Sequence, residues 1–74
     1  MDIEVRLFAT LRQGREKKQI IEITEGTRLS QIIEGFGIDE RDIAILLVNG
    51  RNVDSDFEPS NGDVVAIFPP VGGG

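Results

Sequence analysis

The residues with the clearest chemical potential are the last six, Pro69-Pro70-Val71-Gly72-Gly73-Gly74. Two prolines hold φ at about −65° and supply no N–H, so they cannot extend a sheet ladder and are expected to lead the chain off the sheet edge. Three glycines follow, and three extended residues reach at most about 10 Å. The product is a wire without side chains, ending in the α-carboxylate of Gly74 and slim enough to enter a channel closed to any residue with a Cβ. The reactive group of the protein is then its own terminus. A linker, a cloning remnant or a frayed end has the same composition, so the upstream residues must decide.

Composition narrows the chemistry sharply. Seventy-four residues make one small domain, near the lower limit of what folds on its own core. There is no cysteine, hence no disulfide framework and no thiolate metal site. There is no histidine either, which removes the commonest general base and metal ligand. A self-sufficient hydrolase and a bound metal are therefore not expected. No apolar run approaches the roughly 20 residues that span a bilayer. The opening Met1-Asp2-Ile3-Glu4 lacks the basic and apolar stretches of a signal peptide, so the expected location is cytoplasmic. A net charge of −5 argues against nucleic acid and acidic membranes as partners, and favours a basic groove on another protein.

The elements that must position the tail are legible as patterns. Residues 2–8 alternate, with Ile3, Val5 and Leu7 on a core face and Asp2, Glu4 and Arg6 on an outer one. Phe8 falls on the polar side, either curling under an edge or reserved for a partner. Residues 10–18 read as a solvated hairpin loop rich in positive charge. A second, antiparallel strand follows over 19–24, with Ile21 and Ile23 on one face and Glu22 on the other. Glu25-Gly26 breaks it, and Thr27 is the expected N-cap of a short helix. That helix carries Leu29, Ile32, Ile33 and Phe36 at i, i+3, i+4, i+7 and is stopped by Gly35 and Gly37.

The second half supplies further strands. A charged connector, Asp39-Glu40-Arg41-Asp42, leads to an apolar strand over 43–48, central or nearly so. Asn49-Gly50 is a two-residue turn signal into a short strand near Asn52-Val53. Phe57 is expected to plug the open end of the core. Asn61-Gly62-Asp63 turns the chain into the last strand, Val64-Val65-Ala66-Ile67-Phe68. The fold class is α+β: a mixed sheet of four to five strands packed on one short helix, with first and last strands parallel neighbours at the centre. Residues 1–68 form the domain and 69–74 a flexible tail. If Val65 and Ile67 face the core, Phe8 and Phe68 meet on the open face beside the departing tail, where an aromatic pair suits a partner; coverage of both rings by loops is the structural alternative.

These features resemble the MoaD/ThiS family of ubiquitin-like sulfur carriers, which have the β-grasp fold. Ile3-Glu4-Val5-Arg6-Leu7-Phe8-Ala9-Thr10-Leu11-Arg12 is similar to the family's opening strand with its Phe-Ala-x-x-Arg ending. Val48-Asn49-Gly50 resembles its Val-Asn-x turn. Asn61-Gly62-Asp63 and Phe68-Pro69-Pro70-Val71 resemble MoaD, the small subunit of molybdopterin synthase, more than ThiS. The helix is shorter than in MoaD, and the tail has one glycine beyond the terminal pair that the family pattern needs.

The resemblance implies that Gly74 is adenylated by an ATP-dependent, E1-like adenylyltransferase. Sulfur supplied through a sulfurtransferase then converts it to a thiocarboxylate. A carboxylate is a poor electrophile, and AMP makes a good leaving group. Gly72 and Gly73 would thread a partner's channel, and Phe8, Phe68, Pro69, Pro70 and Val71 would form the docking surface. The chain itself would be a carrier rather than an enzyme, binding no cofactor, with ATP used by the activating partner. The receiving partner would be the large subunit of molybdopterin synthase, serving the molybdenum or tungsten cofactor. The alternatives are a thiazole synthase in thiamine biosynthesis, or lysines of other proteins to which the chain is conjugated. A plain interaction domain with a vestigial tail is a further possibility.

Overall fold

Strict alternation of apolar and polar residues produces the first strand, β1 (Asp2–Leu7), with Ile3, Val5 and Leu7 at most 1% exposed. It appears in a computed structural model that describes residues 1–70. The antiparallel partner β2 (Lys18–Glu22) runs beside it with Ile3 opposite Ile21 and Val5 opposite Gln19. The strands β3 (Ile45–Val48), β4 (Arg51–Asn52) and β5 (Val64–Phe68) complete a five-stranded mixed sheet in the order β2-β1-β5-β3-β4. β1 and β5 are parallel neighbours, as expected from sequence, with Val5 level with Val65 and Leu7 with Ile67.

One helix, α1 (Leu29–Gly35), covers the apolar face of this sheet. Leu29, Ile32 and Ile33 are buried there and Phe36 is half-buried, so the helical spacing marks core. Thr27 is not its N-cap. The hydroxyl of Thr27 lies 3.0 Å from that of Thr24, and Arg28 occupies the cap position. The first-turn amides are satisfied from a distance: Leu29 N–H donates to the Phe57 carbonyl and Ser30 N–H to that of Ser55. Gln31 Oε1 also accepts from Arg28 N–H at 2.9 Å, the back half of a capping box. The C-terminus closes as a Schellman motif. Gly37, at φ +74°, lets its own N–H reach Glu34 O while Ile38 N–H reaches Ile33 O.

Three further sequence expectations need correction. The segment 10–18 is not a plain solvated loop, since a 3₁₀ turn over Ala9–Arg12 tucks Leu11 into the core at 5% exposure. Phe57 does not plug the core; its ring is exposed and its backbone carbonyl supports α1 instead. β5 lies inside the sheet, so Pro69 and Pro70 carry the chain past the end of a central strand rather than off an edge. The connector after α1 is solvated as expected. There the Arg41 guanidinium and backbone N–H both donate to Asp39, and the side-chain bond leads in lowering that carboxyl to about 2.

The two turns that launch β4 and β5 are bonded to each other. Asn49 and Gly50, at φ +52° and +82°, form the type I′ turn expected of Asn-Gly. Asn49 Nδ2 donates to Asp63 Oδ1, and Asn49 Oδ1 accepts from Val64 N–H. This clasp sets the start of β5 and therefore its register against β1 and β3. Leu29 is fully buried between helix and sheet. Leu29→Ala is expected to cost about 2–5 kcal/mol, a large share of the stability of so small a domain, and urea unfolding would measure it.

Candidate partner-docking site

The parallel register of β1 and β5 dictates where the aromatic residues go. Leu7 stands level with Ile67, and Phe8 N–H donates to Ile67 O at 3.2 Å, so the next pair along is Phe8 and Phe68. Their rings stack with centroids 4.2 Å apart and planes 12° from parallel. Both are half-buried. The expectation that the two rings meet beside the departing tail is met. Ala9, at φ +52°, then turns the chain away from β5. The last strand bond is Ala44 N–H to Phe68 O at 2.8 Å.

Two side chains of this site escaped the sequence reading. Arg12 holds its guanidinium 5.4 Å from the Phe8 centroid, a cation–π contact, while its Nε donates to Leu7 O at 2.9 Å. Ile45 sits opposite Phe68 in the antiparallel β3–β5 pairing and is 44% exposed. The uniformly apolar run over 43–48 gave no alternation by which to place Ile45 outside. Arg12 stands in the Phe-Ala-x-x-Arg segment, but its contact with the ring depends on the 3₁₀ turn.

A groove of about 840 Å³ opens beside the stack, lined among others by Phe8, Arg15, Ile45, Phe68, Pro69 and Pro70. Arg15 ties its floor together, donating to the carbonyls of Leu11, Phe36 and Gly37. Those bonds place a cation at the C-terminal end of α1, where the helix dipole favours it. Pro69 is half-buried against the groove and Pro70 is exposed. The remaining site residues expected from sequence, Val71, Gly72, Gly73 and Gly74, lie outside the described residues. The described arrangement offers binding rather than catalysis: an apolar platform rimmed by two arginines at the base of the tail.

A family model described as the ThiS family matches residues 5–74. The chain belongs to the ThiS family. Subunit 1 of molybdopterin converting factor, as assigned in Pyrococcus furiosus, is 35% identical over 96% of this chain and 99% of that one, with a TM-score of 0.77. A chain of the complex of subunits 1 and 2 of molybdopterin-converting factor from Helicobacter pylori 26695 is 27% identical, each chain covered over 100%, with a TM-score of 0.68. SAMP1 from Haloferax volcanii, 21% identical with both chains covered over 100%, shares the fold at a TM-score of 0.78.

Family and fold agree. The mixed five-stranded sheet on one helix is the ubiquitin-like β-grasp, and the chain is a ubiquitin-like sulfur carrier of the MoaD/ThiS type. Within that family the clasp between Asn49 and Asp63 gives the Val-Asn-Gly and Gly-Asp motifs of this chain a structural role. No helix among the described residues is long and apolar enough to cross a membrane.

Proposed function

We propose that this chain carries sulfur as a thiocarboxylate on Gly74 and delivers it in the synthesis of molybdopterin. The observation that carries this reading is the likeness to subunit 1 of the Pyrococcus furiosus molybdopterin converting factor, at 35% identity over nearly the full length of both chains. The Phe8–Phe68 stack, set where the tail leaves the domain, supports it as the anchor for a partner.

The chemistry divides between this chain and its partners. The Gly74 carboxylate attacks the α-phosphate of ATP in an E1-like adenylyltransferase, expelling pyrophosphate and forming an acyl adenylate. The outer sulfur of a persulfide on a partner's cysteine then displaces AMP, forming an acyl disulfide. A second partner thiol attacks that cysteine's sulfur, so the S–S bond breaks, the thiocarboxylate leaves on Gly74 and a disulfide remains on the partner. This chain provides the acyl group, a narrow approach and a docking platform. With no histidine or cysteine, it leaves acid, base and sulfur chemistry to the partners. It is a carrier, not the catalyst.

The Helicobacter pylori relative lies in a complex of subunits 1 and 2, which supports a large synthase subunit as the receiving partner here. The test is reconstitution. The thiocarboxylated chain should release its sulfur to the large subunit of molybdopterin synthase charged with its pterin precursor, and not to a thiazole synthase. Transfer to the thiazole synthase alone, or high-mass lysine adducts with no transfer to either, would overturn the assignment.

A further inference from the structure

The sheet has an open edge well away from the docking site. β2 stands first in the strand order, and only β1 pairs with it among the described residues. The bonding pattern shows which of its backbone groups are available. Met1 N–H donates to Ile23 O, Ile23 N–H donates to Met1 O, and Leu7 N–H donates to Lys17 O. Antiparallel strands alternate in this respect, so Lys17, Gln19, Ile21 and Ile23 turn their amides and carbonyls toward β1. Lys18, Ile20 and Glu22 turn theirs outward. The side chains of those same three residues lie on the open face. Ile20 is 64% exposed, the most exposed large hydrophobic side chain among the described residues.

We propose that a second copy of this chain docks on this edge, β2 against β2 and antiparallel, with the two-fold axis at Ile20. The five residues of the strand, Lys18-Gln19-Ile20-Ile21-Glu22, are complementary to themselves in that register. Lys18 meets Glu22 of the partner subunit, and Glu22 meets Lys18 of the partner subunit. Ile20 meets its own counterpart on the axis, and Gln19 lies across from Ile21 of the partner subunit. Every outward amide and carbonyl of the strand then falls in a hydrogen-bonded pair, because the pairs 18/22 and 20/20 have the parity that the β1 ladder leaves free.

Other registers lose this match. Moving the axis to Lys18 or to Glu22 sets like charge on like, and moving it to Gln19 sets Glu16 against Glu22 of the partner subunit. Lysine on an edge ordinarily discourages strand addition; here the glutamate four residues on turns it into half of an ion pair. The result is one continuous sheet across both copies, with both open faces on the same side. The Phe8–Phe68 sites stay uncovered, and the two tails leave from opposite ends. Edge-to-edge contact is small beside the roughly 1,600 Å² of a standard interface, so the dimer is expected to be weak and concentration-dependent.

Sedimentation velocity from about 10 μM to about 1 mM spans the range in which such an interface populates. The wild-type chain is expected to move toward twice its monomer mass. Ile20→Lys should keep it monomeric throughout. Lys18→Glu should weaken the dimer about tenfold through two opposed carboxylate pairs, and the exchanged pair Lys18→Glu with Glu22→Lys should restore it. All three positions are exposed, and a thermal melt checks that each variant folds. Amide exchange provides the direct signature: protection of the Lys18, Ile20 and Glu22 amides should rise with concentration, while those of Gln19 and Ile21 stay protected throughout. A wild-type monomer at the highest concentration, or a dimer indifferent to Ile20→Lys, overturns the proposal. So does edge protection that appears only when an unrelated extended peptide is added.

Discussion

A chain lacking Gly73 and Gly74 is expected to melt with the full-length protein and to deliver no sulfur. Both halves of that expectation have a physical basis. The apolar core is built from residues 3 to 67, so nothing that stabilises it is removed. The truncated chain instead ends in Val71-Gly72, shorter by about 7 Å of extended backbone, and its carboxylate would stop short of a site matched to the full reach. It would also present a side chain where the approach admits only backbone. Thermal melting and sulfur transfer measured on the same preparation separate the two effects. Retained transfer would mean that the glycines are ornament and that the chemistry lies elsewhere.

Phe68→Ala should weaken binding to the activating enzyme and to the large synthase subunit by about 30-fold or more, the loss typical of a buried aromatic anchor. The ring stacks on Phe8, faces Ile45 and directly precedes Pro69, so its removal takes the centre from the platform and loosens the base of the tail. Some stability goes as well, about 0.5–1.5 kcal/mol for the stacking beyond the area it covers. A folded variant at working temperature is therefore required, confirmed by circular dichroism. Phe57→Ala is the control: its ring is exposed and does not line the groove, so its removal should leave affinity unchanged. Arg12→Ala should fall between, losing a cation–π contact of about 0.5–1 kcal/mol. Equal losses for Phe57 and Phe68 would remove the reason for placing the partner at the stack.

Much of this arrangement is legible in the residue pattern alone. The alternation at Ile3, Val5 and Leu7 and the terminal run from Val64 encode β1 and β5 by period alone. Once these are parallel neighbours, the meeting of Phe8 with Phe68 follows from counting. The Asn49-Gly50 turn is equally local, since its positive φ values suit those residue types. The misreadings arise where distant backbone groups decide. Thr27 has the composition of an N-cap, yet α1 begins at Leu29 because carbonyls of Ser55 and Phe57 already meet its first amides. Phe57 contributes one of those carbonyls while its ring stays exposed, and Leu11 enters the core as the one buried residue of a 3₁₀ turn. Arg15 looked like one more solvated charge, but three carbonyls from two segments gather around it. No window of sequence contains such contacts.

The claim on which the function rests is that the Gly74 carboxyl is the reacting group. Intact-mass measurement after incubation with ATP, an E1-like activating enzyme and a sulfur donor tests it most directly. The expected result is a gain equal to the replacement of one oxygen by one sulfur, absent without ATP and assigned by fragmentation to the final residue. An unchanged mass in the presence of an enzyme shown to be active on this chain, or the same gain in a chain lacking the last two glycines, would contradict it.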